Sequence, residues 1–570
     1  MKNERNASRD SHQNGTQNRR SLKDLSSGDY FEGTVKILRV AKPGPLILNI
    51  YDGTKIMEAV IRDSVLAEMR SKRLPKGNEI TLGNITVRNP TAGNLIIKDS
   101  SKKQREQEKK PAAENSAPPQ SHTLKETDLK VGKIIELRAE CQTRGDQLQL
   151  EVEWVGDSTY DFDRVLADRS RPSRESFSIL SDRYEKMREK FYAVAARIRL
   201  AILQSQPILL RHHNDADGIC AGLAVEQACR QVIDECGLSP EHTLYRSPSV
   251  SPFYDPIDVF RDINMFQRYS TQFGDPAPLI VLLDTGSTPE NLFCFKVLQA
   301  FHYECIVVDH HNPGALTDNQ SAVCPFLALH LNPYLFGLDN QTSGGMLGYE
   351  LARWISPIFN RPILPAVAGI ADRCTIPEVD ALIANSTRTR DQLTAIGVAI
   401  DYLAFHFKFD AGDGVYERIF EDENLVQIIY ANVQTSVESQ LESMMPSLKS
   451  RDINGVVYSE IDLERYTQRF KYPPPGKILG MIHDTLVAGK GTQPVITVGY
   501  FSDGVIIRAT HPIVPVPTLL EQLQHDIPEA NVEGGGHETA GSLKFIPAHC
   551  QAILQYIQNK LKENSQQQDE

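Results

Sequence analysis

PILLRHHNDADG, residues 207–218, is a short apolar run that ends in a cluster of imidazole and carboxylate groups. Two later stretches repeat the pattern: LIVLLDTG at 279–286 and CIVVDHH at 305–311, with helical text between them. Short apolar runs alternating with helices predict parallel strands covered on both faces, an α/β fold. Ligands of such sheets sit beyond the carboxyl ends of the strands, where all three runs place their acids and histidines.

Upstream of this sheet the text changes twice. Residues 1–27 are polar and rich in Asn, Ser and Arg, the composition of a disordered tail. From 28 to 100, alternating apolar runs with an Asp52-Gly53 turn predict three strands, a helix and two more strands, the layout of an OB-like barrel. An unrelated β-meander is the alternative. Such barrels bind single strands through stacking rings and a basic groove. Tyr30, Phe31 and Tyr51 are the candidate rings, and Lys36, Arg39, Lys42, Arg70, Lys72, Arg73 and Lys76 the candidate phosphate contacts.

Residues 101–124 (SKKQREQEKKPAAENSAPPQSHTL) have linker composition, and 125–170 form a short β-rich segment of open role. Leu180, Tyr184, Met187, Phe191, Val194, Ile198 and Ala201 then recur at threes and fours, predicting a long amphipathic connector helix within 171–206. The sheet-forming domain spans 207–400. A helical connector or insertion occupies 401–480, a smaller C-terminal domain 481–560, and a tail 561–570.

At 570 residues the chain is too long for a single core. Its apolar runs are far too short to span a bilayer, and its first twenty residues contain no apolar core for a secretory signal. Nine cysteines without a CxxC pair argue against a disulfide framework or a zinc ribbon and predict a reducing, cytoplasmic setting, with no membrane partner. Charge is uneven. Residues 1–124 hold 22 Lys+Arg against 14 Asp+Glu, while the remainder holds 39 against 59. A basic front on an acidic body suits a polyanion partner, or else a solubilising tail.

Alternate residues of an extended segment face one way, so His213, Asp215 and Asp217 can converge, with Gly218 turning the chain into a helix. An EF-hand would need an acid at its first position and Glu at its twelfth; His213 and Ala224 stand there. Asp284, the pair Asp309-His310 and Asp372 (in AGIADR) add further donors at the same sheet edge. So many carboxylates repel one another unless cations intervene. Mixed imidazole and carboxylate ligation without thiolate predicts two divalent ions, Mn2+ favoured and Mg2+ the alternative.

HNDADG, DTG, DHH and the late Asp372, with GGGHETAGS at 534–542, resemble the motifs of the DHH phosphoesterase superfamily and its DHH-associated substrate-binding domain. The resemblance covers roughly 207–560, and with the OB-like module it is most similar to archaeal RecJ-like single-strand nucleases. It implies that His213 and Asp215 hold one metal and Asp217 the other. Asp284 would bridge both, with His310 and Asp372 completing the second site. Asp309 would orient an imidazole, and His311 would contact the scissile phosphate or protonate the leaving oxygen. Gly534, Gly535 and Gly536 would let backbone N–H groups approach a phosphate, and His537 and Arg508 would bind phosphate or a terminal nucleotide. Ser343 would line the cleft between lobes.

The function expected is a two-metal exonuclease on single-stranded DNA or RNA, with replication or repair proteins as further partners. An oligoribonucleotide or cyclic-dinucleotide phosphodiesterase is the alternative among enzymes. A replisome scaffold with little or no catalysis is the alternative of another class.

Overall fold

The computed structural model describes residues 21–566 apart from 42–44, 72–78, 83–84, 89–95, 100–123, 159, 175, 239, 241–242, 250, 252 and 469–470. The expected disordered tail therefore falls almost entirely outside the described residues.

Strands β1 (Tyr30–Ala41), β2 (Leu46–Tyr51) and β3 (Ile56–Ile61) are followed by helix α1 (Asp63–Ser71) and a separate three-stranded sheet of β4 (Glu79–Leu82), β5 (Ile85–Arg88) and β6 (Ile96–Asp99). The barrel is completed by β7 (Ile134–Arg144) and β8 (Gln147–Asp157), in the closed order β1-β2-β3-β8-β7. β1 pairs antiparallel with both β2 and β7, and β3 runs parallel to β8. Alternation fills the interior: Val35, Ile37, Leu48, Ile50, Leu137, Ala139, Leu150 and Val152 are all buried.

This closure corrects the expected boundaries. The segment 125–170, whose role the sequence left open, supplies the fourth and fifth barrel strands. The region expected to be a linker lies between β6 and β7, inside the barrel's own connection. Local alternation could not reveal pairing between strands a hundred residues apart, because pairing partners are set by tertiary closure.

The proposed stacking groove is corrected too. Phe31 and Tyr51 belong to the core, at 2% and 0% exposure. Lys36 pairs with Asp163, Arg39 with Asp275 at 2.8 Å and Arg70 with Glu126 at 2.5 Å. Tyr30 stays exposed, its hydroxyl donating to Glu153 at 3.3 Å. Lys42, Lys72, Arg73 and Lys76 lie outside the described residues.

Tyr51, Leu38 and Ile56 pack into the same core as Phe162 and Leu166 of α2 (Phe162–Ser170) and the buried stripe of α3 (Asp182–Leu203). The barrel is thus docked on the next domain rather than tethered to it. The connector helix begins two residues after Leu180, which stays fully exposed, because Ser181 caps it by accepting from the Arg183 and Tyr184 amides.

The central domain is a parallel sheet in the order β10-β9-β11-β12-β13. Its strands are β9 (Ile208–His212), β10 (Leu244–Pro248), β11 (Leu279–Leu283), β12 (Glu304–Val308) and β13 (Leu329–Leu331). Helices α4 (Ala216–Cys236), α5 (Pro256–Phe273) and α6 (Leu292–Ala300) alternate with them. Ile208, Leu210, Val281, Ile306 and Val308 face the core shared with α3 and α4. Leu209, Ile280, Leu282, Cys305 and Val307 face the core under α5 and α6. Period two on a sheet buried on both faces produces this division.

Helices α7 (Gly344–Ile355), α8 (Ile363–Ala371), α9 (Pro377–Ser386), α10 (Arg390–Phe407), α11 (Val415–Glu421) and α12 (Glu423–Met444) follow. The C-terminal lobe opens with β14 (Lys449–Ile453), β15 (Val456–Asp462) and α13 (Leu463–Tyr466). It continues through α14 (Pro475–Lys490), β16 (Val495–Phe501), β17 (Gly504–Ala509), α15 (Val516–Asp526), β18 (Glu533–His537), β19 (Ala540–Lys544) and α16 (Cys550–Gln566). Its mixed sheet has the order β14-β15-β16-β17-β19-β18. The lobe therefore starts near 449 rather than 481, since Ile453, Val456 and Tyr458 belong to its core. The helical connector ends at Met444, and α16 runs on into the expected tail.

Candidate metal centre

Each donor stands where a strand or helix stops. After β9 come His213 and Asp215, the latter capping α4 through the Gly218 amide at 3.0 Å. A side chain at Gly218 would overlap the His213 carbonyl, so the turn into α4 needs glycine. Asp217 lies in the first turn of α4. Asp284 follows β11 with φ of +57°, a left-handed conformation uncommon outside glycine and typical of strained functional positions. Asp309, His310 and His311 follow β12, and Asp372 ends α8.

Sheet and helix ends bring these residues together. His213 Nδ1 lies 2.9 Å from Asp215 Oδ2 and 3.6 Å from Asp284 Oδ2. His310 Nε2 lies 3.2 Å from Asp284 Oδ1 and 3.9 Å from Asp217 Oδ2, while its Nδ1 is 3.7 Å from Asp372 Oδ2. Two donor sets, His213/Asp215/Asp284 and Asp284/His310/His311, each have ligand atoms within 4.8 Å of one another. Asp284 belongs to both and turns a different oxygen toward each.

The centre fits divalent cations on electrostatic grounds. Asp217 Oδ2 and Asp284 Oδ1 are buried without a hydrogen-bond partner among the described residues. An unsatisfied buried carboxylate oxygen costs roughly 1–3 kcal/mol or more unless a cation or donor meets it. Burial, with Asp284 and Asp372 nearby, holds the Asp217 carboxyl well above its usual range. Asp284 moves the other way: burial alone would raise it, but the imidazoles of His213 and His310 beside it hold it far below. Burial works against charge on His310 as well, yet Asp372 and Asp284 keep its imidazole protonated above the ordinary histidine range. A divalent cation would relieve the repulsion among these carboxylates. His213, Asp215, Asp217, Asp284, His310 and Asp372, the expected ligands, stand around one centre and could hold it.

Asp309 stands behind the donors. Its Oδ1 accepts from His311 Nδ1 at 2.7 Å and from the His310 and His311 amides, and its Oδ2 accepts from the Ser287 amide at 2.9 Å. His311 Nδ1 is thereby occupied, leaving Nε2 as its free nitrogen.

Residues 339–345, DNQTSGG, wrap the centre, and sequence reading largely missed them. Asp339 pairs with Arg183, and Gln341 accepts from the Thr375 amide at 2.8 Å. The Asn340 carbonyl accepts from His310 Nδ1 at 2.8 Å. Ser343 is a correction: it lines no cleft, being fully buried with its hydroxyl donated to Asp217 Oδ1 at 2.6 Å. The Gly345 amide reaches the same oxygen at 3.0 Å, and Gly344 packs so closely on Asp284 that no side chain fits. The one signal in the sequence was a run of small polar residues directly before an apolar helix.

The C-terminal lobe meets this centre through His537, whose ring stacks on His311 at 5.2 Å and 10°. Burial, with the His311 and His310 charges, pushes His537 down to about 3, so it is neutral. Gly534 and Gly536 have φ of +148° and +146°, and side chains there would overlap the Ser542 and Ala540 carbonyls. Those two glycines serve the close approach of β18 to β19; Gly535 alone has room toward the catalytic domain, near Glu290. Arg508 lies on β17, where burial and the charge of Arg373 lower its pKa. Arg373, next to Asp372, makes a bidentate pair with Asp484 at 3.1 and 2.9 Å.

The DHH domain of a protein described as belonging to a family of ribosomal proteins matches this chain with a TM-score of 0.68 and 33% identity. The match covers 70% of this chain and 97% of that domain. The chain belongs to the DHH family. An uncharacterized protein of Methanocaldococcus jannaschii is 34% identical over 463 residues, 74% of this DHH chain. The chain spans 61% of that relative's length. RecJ from Thermus thermophilus in complex with Mn2+ is more distant, at 16% identity and a TM-score of 0.44, covering 71% of this chain and 58% of RecJ. No family model matches the chain. Among the described residues, no helix is long and apolar enough to cross a membrane.

Proposed function

We propose that this DHH protein is a divalent-metal-dependent phosphodiesterase that hydrolyses single-stranded DNA or RNA from an end. The observation that carries the reading is Asp284, whose two carboxylate oxygens face separate donor sets. A pair of cations bound there, Mn2+ favoured, would generate hydroxide from water at neutral pH and neutralise charge on the phosphoryl oxygens. The chain's own groups do the rest. Ser343 and Gly345 fix the rotamer of Asp217, so that its other oxygen points into the centre. Asp309 fixes His311 with Nε2 free, where a proton can pass to the leaving oxygen. His537 and Arg508, on the facing lobe, supply donors for a phosphate or terminal nucleotide.

A polymer substrate is supported by where the basic charge lies. Residues 1–20 hold five Lys+Arg against two Asp+Glu, and residues 72–123 hold ten against five. The barrel sequence itself, 21–71 with 124–157, holds twelve against fifteen. The excess thus belongs to the tail and the insertion, not to the barrel. A second reading, cleavage of short oligonucleotides or cyclic dinucleotides, is favoured by the barrel's internally paired cations. A replisome role is compatible with either.

The test is Mn2+-dependent cleavage of end-labelled DNA and RNA from a dinucleotide to a 30-mer. Stepwise shortening of the long strands is expected, with the labelled end giving polarity. Cleavage confined to the shortest substrates would establish the second reading, and no cleavage of strands or cyclic dinucleotides would overturn both.

A further inference from the structure

We propose that Asn340 is a positioning residue that orients two imidazoles, His310 and His537, sets which nitrogen of His537 bears the proton, and registers the C-terminal lobe on the metal centre. Its two polar ends act in opposite directions. The main-chain carbonyl accepts from His310 Nδ1 at 2.8 Å, so Nδ1 carries a proton committed to the loop and Nε2 is the nitrogen turned toward Asp284 and Asp217. The side-chain Nδ2 lies 3.3 Å from His537 Nδ1. An amide nitrogen only donates, so His537 Nδ1 must be a lone pair and its single proton sits on Nε2. His537 then presents a neutral N–H donor from a ring stacked on His311.

One residue of the 339–345 loop therefore joins a metal-facing histidine of the catalytic domain to the histidine at the end of the glycine triplet, 197 positions away. The neighbours of Asn340 hold it still. Asp339 is paired to Arg183 on α3, Thr342 accepts from Arg183 at 3.0 Å, and Gln341 is held by Thr375. The consequence is chemical as well as mechanical. With the proton on Nε2, His537 donates a hydrogen bond to an anionic oxygen; with it on Nδ1, the same nitrogen would repel that oxygen. Asn340 thus decides whether the lobe meets phosphate with a donor or a lone pair. The role of His537 toward phosphate rests on the proposed phosphodiesterase reading.

The experiment uses full-length protein labelled with 15N-histidine, with His537 assigned by the signal missing from His537→Ala. An unprotonated Nδ1 shift and a protonated Nε2 shift are expected at neutral pH. The reverse pattern would mean that the amide accepts, and would overturn the proposal whatever the activity.

Kinetics provide the second arm. Asn340→Ala keeps the backbone carbonyl and so His310, and removes only the donor to His537. It is expected to raise KM for single strands about tenfold, the same rise expected of His537→Ala, with the double variant no worse than either and the Mn2+ half-saturation within twofold. Additive losses, or a shifted Mn2+ requirement, would overturn the coupling. If the unmodified protein cleaves no strand, the function reading fails, while the histidine spectrum still decides the role of Asn340.

Discussion

Ser343 donates its hydroxyl to Asp217 Oδ1 at 2.6 Å across 126 residues of sequence, and neither side chain is exposed by more than 4%. Because the Gly345 amide shares that oxygen, Asp217 has one oxygen committed to the protein and the other left for a cation. Ser343→Ala removes a buried hydrogen bond to a charged group, a loss of about 1.5–3 kcal/mol. The expected outcome is a roughly 10- to 100-fold rise in the Mn2+ concentration giving half-maximal cleavage. The KM for strands at saturating Mn2+ should stay put. A change in KM alone would return Ser343 to the substrate cleft.

Asp217 itself separates stability from metal binding. Burial and the neighbouring Asp284 and Asp372 disfavour its charged form, so in metal-free protein at neutral pH its carboxylate is a cost to the fold. The sign follows from its raised pKa: the native state holds the proton more tightly than the unfolded chain, so stability falls as pH climbs past the unfolded value. Asp217→Asn keeps an oxygen for Ser343 and Gly345 and removes the charge. Metal-free Asp217→Asn should melt above the metal-free parent at pH 7, and the rise in melting temperature on adding Mn2+ should shrink sharply. A variant that melts lower without metal would show that the carboxylate stabilises the empty centre.

The sheet and its donors were legible because parallel strands write themselves as short apolar runs, and β9, β11 and β12 each end in a polar cluster. Position after a strand end is a local property. What escaped notice depended on distant pairing. Val152 and Ala139 look like any alternating strand until they close on β3 and β1. Phe31 and Tyr51 read equally well as stacking rings or core, because alternation identifies a face without saying which way it points. Asn340 and Ser343 carry no motif; their meaning comes from His310, His537 and Asp217, brought to them by the fold.

The location of the basic charge refines the route to strand binding. Removing residues 1–124 would strip β1–β3 from the barrel and expose the apolar face of β7 and β8. Excising 72–123 is gentler, since the flanking Arg70 and Glu126 already touch at 2.5 Å and a short linker can join the ends. The excised protein should keep its melting temperature and its Mn2+-dependent cleavage of dinucleotides. Its affinity for long strands should fall, and the slope of log affinity against log salt should flatten by about 0.7 for each phosphate no longer neutralised. An unchanged slope would assign strand binding to the two lobes alone.

The glycine triplet separates packing from substrate contact. Gly534 and Gly536 adopt backbone conformations that side chains rarely tolerate, and an added Cβ would drive into β19. Gly534→Ala should therefore destabilise the C-terminal lobe by several kcal/mol, of the order seen when a left-handed or crowded glycine is replaced. Gly535 differs. The nearest atom to its added Cβ is Glu290 Oε1 at 3.7 Å, an ordinary contact. Gly535→Ala should melt within a degree or two of the parent, so its kinetics can be read without a folding defect. If the backbone at 535 approaches a phosphate, the added methyl raises KM severalfold at unchanged Mn2+ dependence. If KM stays the same, the triplet exists to let β18 lie against β19 and deliver His537 to His311, and the substrate is held by side chains alone.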